Sequence, residues 1–298
     1  MSSSDPLAGA HTLAITPFDS AGDLDRRSLA SLVDFLLDGG VDGVIALGTT
    51  GEFFTLSPSE RVSVMEEFMR AVGRRVPVTF GVADSSTRQS VVLAQRAEEL
   101  GAACVMLPAP YYFAHSRPAV EAHFAAVAAS TRLPLMVYDG GGGIEVPVDL
   151  LASLRAQAPN VRYVKLSLPQ PAKVAAVVAR AAGVAPLCGD DTMLVLALRH
   201  GAIGSTIGIG NLLPKAVSEV HAAFASGDLA TARRIHRQHI LPAVGICGTS
   251  KSEYIGCFKD VLHRKGVIAS AATRPPLQPL DALRREELLA VMTEIGVL

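Results

Sequence analysis

Short apolar runs alternate with longer stretches of helical periodicity through the first two-thirds of the chain. The runs Leu13–Thr16, Gly43–Leu47, Val76–Val82, Cys104–Leu107, Leu135–Asp139, Arg162–Leu166, Pro186–Gly189 and Ile203–Ile207 are mostly too short for helices. They are apolar almost throughout instead of alternating, as strands covered on both faces should be. Amphipathic stretches opening near Arg27, Ser59, Ser90 and Ala119 lie between them, with Ser57 or Ser59 as a helix cap and Gly39-Gly40 as a stop. Repeated strand–helix units imply a parallel sheet. Eight strands in about 200 residues predict a closed (β/α)8 TIM barrel over a doubly wound sheet. No GxGxxG follows the first strand, which also argues against a dinucleotide fold.

After about position 210 the strand rhythm stops. The stretches opening at Asn211, Leu229, Ser252 and Asp281 all carry helical periodicity. The expected organisation is a flexible N-terminal tail over 1–10, a barrel over 11–215, and a C-terminal helical extension over 216–298 packed on it.

The chain has 298 residues, 49% of them hydrophobic, and a net charge of -1. Such a balance lacks the footprint of a nucleic-acid or anionic-membrane partner. No apolar run approaches the roughly 18 residues of a membrane span, and the start MSSSDPLAGA does not read as a secretory signal. Cys104, Cys188, Cys247 and Cys257 are scattered and form no CxxC pair, as in a reduced, cytoplasmic protein.

An active site in such a barrel lies at the carboxyl ends of the strands. Lys165 is the anomaly among those ends. The chain holds six lysines against 21 arginines, and none precedes Lys165. The other five, Lys173, Lys215, Lys251, Lys259 and Lys265, read as solvated helix or loop positions. Lys165 sits inside the apolar strand Arg162–Leu166. It is either a lysine snorkelling to solvent at a strand end or a desolvated amine able to form a Schiff base with a carbonyl substrate.

Tyr138, on the preceding strand, is a proton relay or a core tyrosine with a satisfied hydroxyl. Thr49 and Thr50, between Gly48 and Gly51, form a carboxylate seat or a capping turn. Asp190 and Asp191 bind hydroxyls or a metal, or cap the next helix. His236 and His239, three apart, have no third ligand at a usable spacing, which disfavours a metal site.

Taken in order, Thr16-Pro17-Phe18, Gly48-Thr49-Thr50-Gly51-Glu52, Leu56-Ser57-Pro58-Ser59, Pro110-Tyr111-Tyr112, Tyr138-Asp139, Lys165, Gly189-Asp190-Asp191 and Gly204-Ser205-Thr206 resemble a known set. It is that of the dihydrodipicolinate synthase / N-acetylneuraminate lyase family. The resemblance runs from about Thr16 to Pro214. It implies a class I, pyruvate-type aldolase on a TIM barrel, without metal or organic cofactor, working through a covalent lysine imine. Lys165 would form the imine with a 2-keto acid, and Tyr138 would shuttle protons. Thr49 and Thr50 would hold the keto-acid carboxylate, with Thr50 linking Tyr138 to Tyr112, and Glu52 would support the turn. In relatives the second tyrosine of the pair reaches a neighbouring subunit, implying a homo-oligomer, dimer or tetramer. Gly189, Asp190, Asp191, Ser205, Thr206 and Asp139 would complete the substrate site.

One departure bears on the substrate. Members that make dihydrodipicolinate follow the strand-five tyrosine with Asn-x-Pro and then an arginine that recognises the aldehyde's carboxylate. Here the segment is Tyr138-Asp139-Gly140-Gly141-Gly142-Gly143-Ile144-Glu145, with no arginine and with two added acids. The expectation is a lyase or aldolase joining or parting pyruvate and an aldehyde, other than a true dihydrodipicolinate synthase. Two alternatives remain open at this point: a 2-keto-3-deoxy sugar acid dehydratase using the same imine, and a keto-acid-binding homologue without turnover.

Overall fold

The computed structural model describes residues 5–141, 144–248 and 251–298. Eight parallel strands close on themselves in chain order. They are β1 (Gly9–Leu13), β2 (Gly43–Ala46), β3 (Val78–Gly81), β4 (Cys104–Pro108), β5 (Leu135–Asp139), β6 (Val161–Leu166), β7 (Ala185–Cys188) and β8 (Gly204–Ile207). β8 pairs back onto β1, with Ala10 opposite Ser205 and His11 opposite Thr206. The predicted (β/α)8 barrel is the fold.

Seven of the eight strands lie within two or three residues of the expected runs, but β1 begins four residues early. Its His11 and Thr12 are polar and yet buried, so the apolar pattern hid them. Gly9 and Ala10 therefore belong to the barrel and not to a tail, while residues 1–4 lie outside the described residues.

The helices following β1 to β4 are α1 (Arg26–Asp38), α2 (Pro58–Val72), α3 (Thr87–Glu99) and α4 (Arg117–Ala129). Those following β5 to β8 are α5 (Val148–Gln157), α6 (Pro171–Arg180), α7 (Leu194–Arg199) and α8 (Pro214–Ala225). α1 buries Leu29, Leu32, Val33 and Leu36, the i, i+3, i+4, i+7 stripe of a helix lying on a sheet. α2 opens with a full capping box, Ser57 accepting from the Glu60 amide and Glu60 from the Ser57 amide. Ser57, and not Ser59, is the cap. α8 packs against β1 and α1, so the barrel's eighth helix carries it beyond residue 215.

The extension holds α9 (Leu229–Ile235), a π-helical turn at His236–Ile240, α10 (Leu241–Cys247), α11 (Lys251–Arg264) and α12 (Ala282–Glu294). Among the described residues no helix is long and apolar enough to cross a membrane.

Alternation along the strands separates two apolar layers. Leu13, Ile45, Met106, Met136, Tyr163 and Leu187 fill the barrel interior. Val44, Val105, Val137, Val164 and Ile207 face the helices. This alternation decides which strand-end residues can reach a site at the barrel mouth.

Candidate active site

Tyr138 and Lys165 stand opposite each other in register on β5 and β6. Both occupy inward positions, as do Met136 and Tyr163 two residues earlier. The Lys165 side chain is buried, 2% exposed, and its Nζ lies 4.0 Å from the centroid of the Tyr138 ring. The snorkelling alternative therefore does not hold. Gly189, just past β7, makes room for it. A Cβ at Gly189 would fall 2.3 Å from Ser167 Oγ and 2.8 and 2.9 Å from Lys165 Cγ and Cε. Ser167 Oγ donates to the Gly189 carbonyl at 3.0 Å, holding the strand ends together around the lysine stem.

Beyond β2 the chain turns sharply. Leu47 and Glu52 both adopt left-handed backbone, with φ of 59° and 56°, on either side of a 3-10 turn at Thr49–Gly51. Non-glycine residues hold that conformation only where their surroundings over-determine it. Glu52 supplies such anchoring. It is fully buried, ion-paired with Lys259 of α11, and it accepts from the Arg274 amide at 3.0 Å. Lys259 Nζ also donates to the Ala272 carbonyl at 2.8 Å, and burial lowers its pKa to about 8 against the pull of Glu52. Thr50, also fully buried, shares a hydrogen bond with the Tyr254 hydroxyl.

Lys165, Tyr138, Thr49, Thr50, Asp191 and Tyr254 all line one cavity of about 230 Å³ at the barrel mouth, with Gly189 and Asp190 on its wall. The Asp190 carboxylate accepts from the Thr192 amide at 2.9 Å and from the Thr192 hydroxyl, so it caps the short turn before α7. Asp191 Oδ1 accepts from the Ile209 amide at 2.8 Å, and burial pushes its carboxyl up to about 6. The site thus combines an amine, two tyrosine hydroxyls, two threonine hydroxyls and a carboxyl that titrates near neutrality. Such a set can condense an amine with a ketone and move the protons that follow.

Several expected residues lie elsewhere. Asp139 is outward-facing by alternation and fully buried, 2.6 Å from Lys173 Nζ, and it accepts from the Val146 amide at 2.7 Å. Glu145 binds the same Lys173 at 2.8 Å. The two added acids therefore serve a lysine on α6 instead of repelling a ligand. Ser205 also faces outward, its hydroxyl 2.8 Å from His221 Nε2 on α8. Thr206 faces inward but below the cavity, donating to the Cys188 carbonyl at 3.4 Å. Tyr112 is 83% exposed with its ring against Phe113, and within this chain Thr50 bonds to Tyr254 and not to Tyr112. Gly142 and Gly143, in the expected loop, lie outside the described residues.

Lys259 and Lys173 are not the solvated lysines the sequence suggested, whereas Lys215 and Lys265 are solvated. The side chain of Lys251 is not among those described. Among the described residues no group of three or more His, Cys, Asp or Glu is arranged to hold a metal ion. His236 contacts the Asp191 carbonyl at 2.9 Å instead.

A model of the dihydrodipicolinate synthetase family matches residues 6–295. The chain belongs to that family. Its class I, aldolase-type lyase chemistry agrees with the buried lysine and its surroundings. The family member 4-hydroxy-tetrahydrodipicolinate synthase of Bacillus velezensis is 32% identical, over 95% of this chain and 98% of that protein. YagE, a prophage protein of E. coli K12 solved in complex with pyruvate, superposes with a TM-score of 0.93 at 27% identity, covering 98% of this chain and 99% of that one. A monomeric dihydrodipicolinate synthase variant superposes with a TM-score of 0.91 at 29% identity, covering 99% of this chain and 100% of that one.

Two contributors to the site were not read from the sequence, Tyr254 and Lys259. Both lie on α11, beyond the last strand. Their signal was present: Tyr254 and Phe258 form an i, i+4 aromatic pair, one residue short of a lysine, in a chain with only five tyrosines.

Proposed function

We propose that this protein is a Schiff-base lyase that joins or parts pyruvate and an aldehyde carrying hydroxyl groups. The observation that carries this reading is the buried Lys165 amine on the Tyr138 ring, with the Thr49–Thr50 turn lining the same cavity. Lys165 Nζ attacks the ketone carbon, and the resulting carbinolamine loses its oxygen as water to give the imine. The imine draws electrons from C3, so that a C3–H proton, or the C3–C4 bond of an aldol, can break to an enamine. Tyr138 holds the proton that moves at each step. Thr49 and Thr50 hold the keto-acid carboxylate through hydroxyls and backbone N–H groups.

The aldehyde class follows from charge. Among the described residues the cavity wall offers carboxylates at Asp190 and Asp191, and Lys165 is its only cation. Among the described residues a second carboxylate on the aldehyde would have no cationic partner there, whereas hydroxyls would have acceptors. This sets the reading apart from the synthase activity for which the Bacillus velezensis relative is named.

Borohydride reduction in the presence of pyruvate, followed by peptide mapping, tests the imine. A pyruvate-sized adduct on Lys165, absent in Lys165→Ala, is expected. A comparison of hydroxylated and carboxylate-bearing aldehydes then tests the partner. No adduct with pyruvate or with longer 2-keto acids overturns the reading, and preferential turnover of the carboxylate-bearing aldehyde overturns the substrate class.

A further inference from the structure

The Thr50 side chain is fully buried on the cavity that Lys165 also lines, and its partner is the Tyr254 hydroxyl from α11 of the same chain. Tyr254 lines the cavity that holds Lys165 and Tyr138. Its ring is fixed edge-on against Phe258, centroids 4.9 Å apart at 84°. One turn further along, Lys259 ties α11 to Glu52, in the same turn that carries Thr50. The hydroxyl pair is thus clamped at two points.

We propose that Tyr254, from the same chain, positions the Thr50 hydroxyl of the imine site. This deepens the Schiff-base reading and rests on it. A hydroxyl has one proton and two lone pairs. Burial holds the Tyr254 phenol above its ordinary pKa, against its hydrogen bond with Thr50 and with the Asp191 carboxylate adding to the rise, so Tyr254 stays protonated. The phenol is the more acidic of the two hydroxyls, and with it as donor to Thr50 Oγ1 the Thr50 proton is directed toward the carboxylate or departing oxygen of a bound keto acid. Without Tyr254 the Thr50 hydroxyl has no fixed orientation. Tyr254 is a positioning residue, acting through Thr50.

The test separates imine formation from proton movement. Deuterium wash-in at the pyruvate methyl, followed by NMR, reports loss and return of a C3 proton. Borohydride trapping at saturating pyruvate reports the imine itself. Tyr254→Phe keeps the buried ring and removes only the hydroxyl. It is expected to slow wash-in by about tenfold or more while the trapped fraction stays near that of the unaltered protein. Thr50→Val should slow it comparably, the double variant should be no worse than either single one, and Thr50→Ser should restore the rate.

Wash-in at the full rate in Tyr254→Phe or multiplicative losses in the double variant would each overturn the inference. An equal fall in trapping and wash-in would also overturn it, marking Tyr254 as merely structural. Absence of any trapped adduct in the unaltered protein is a different result. It sinks the Schiff-base reading, and this inference with it.

Discussion

Glu52 and Lys259 form an ion pair in which both side chains are fully removed from solvent. It joins the turn after β2 to α11 and so links the barrel mouth to the C-terminal extension. Arg274 closes the arrangement. Its amide donates to Glu52, and its guanidinium reaches Glu60 Oε1 at 2.6 Å and the Gly22 carbonyl at 2.6 Å. Glu60 is held down to about 2, chiefly by its hydrogen bond to Arg274.

Removing one member of a buried pair leaves the other charge without compensation. Glu52→Gln is therefore expected to destabilise the protein by about 3–5 kcal/mol in urea unfolding. Glu52→Gln combined with Lys259→Met removes both charges and should cost clearly less than Glu52→Gln alone. Additive losses would show that the two side chains do not act as a pair.

Gly189→Ala should strike the amine, at an overpacking cost to the fold of about 1–3 kcal/mol. The added methyl meets Ser167 Oγ and the Lys165 stem well inside van der Waals distance, and the lysine tip is the more easily displaced. Misplacement of a reacting group by about 1 Å can lower rate about 10²-fold. Borohydride trapping with pyruvate should slow on that scale, with only a modest fall in the thermal midpoint. Trapping at the normal rate would mean that Lys165 has another path into the cavity.

Asp139 lies one residue from Tyr138 and was expected in the site, so its variant discriminates sharply. Burial pushes its carboxyl up, and the Lys173 ammonium opposes that shift. Asp139→Asn should leave Lys173 with only the half-exposed Glu145 as a partner, and lower stability by about 1–3 kcal/mol. The concentration of pyruvate that half-saturates imine trapping should stay within about twofold, since an amide of the same shape keeps the backbone contacts. A large rise in that concentration at unchanged stability would return Asp139 to the site.

The barrel was legible because strands covered on both faces leave continuous apolar runs, each punctuated by a turn. Lys165 was legible for a related reason: an ammonium stands out inside such a run. Asp139 and Ser205 were misplaced because proximity to a strand end does not say which face a side chain takes, and Thr206 because it does not say how near the mouth an inward side chain lies. Alternation counted from Tyr138 and Lys165 would have turned Asp139 outward. Tyr254 and Lys259 were missed for another reason. Helical periodicity shows that α11 buries one face, but not what that face meets, and its partners Thr50 and Glu52 lie about 200 residues away in sequence.

Acid should weaken the fold through four buried imidazoles, His11, His123, His221 and His236, with the buried carboxyls of Asp139 and Asp191 working against them. Burial holds His221 down at about 3, with His11 adding to the effect, and holds His123 down at about 4. Both folded values lie below the ordinary histidine value of about 6.5. The unfolded chain therefore takes up protons first as pH falls. Their contribution is complete above about 6.5 and is lost as pH drops toward 4 and 3. Asp191 has the opposite sign. Its folded value of about 6 lies above the ordinary carboxyl range, so the native state binds its proton first, and its contribution is lost as pH rises through 6. Each group acting alone changes stability by about 1.4 kcal/mol per pH unit inside its window. Four imidazoles outweigh two carboxyls, so urea unfolding at pH 7, 6 and 5 should show stability falling with acidification. His221→Gln should flatten that fall, and Asp191→Asn should steepen it. An unchanged fall in Asp191→Asn would mean that its carboxyl is ionised in the folded protein across this range.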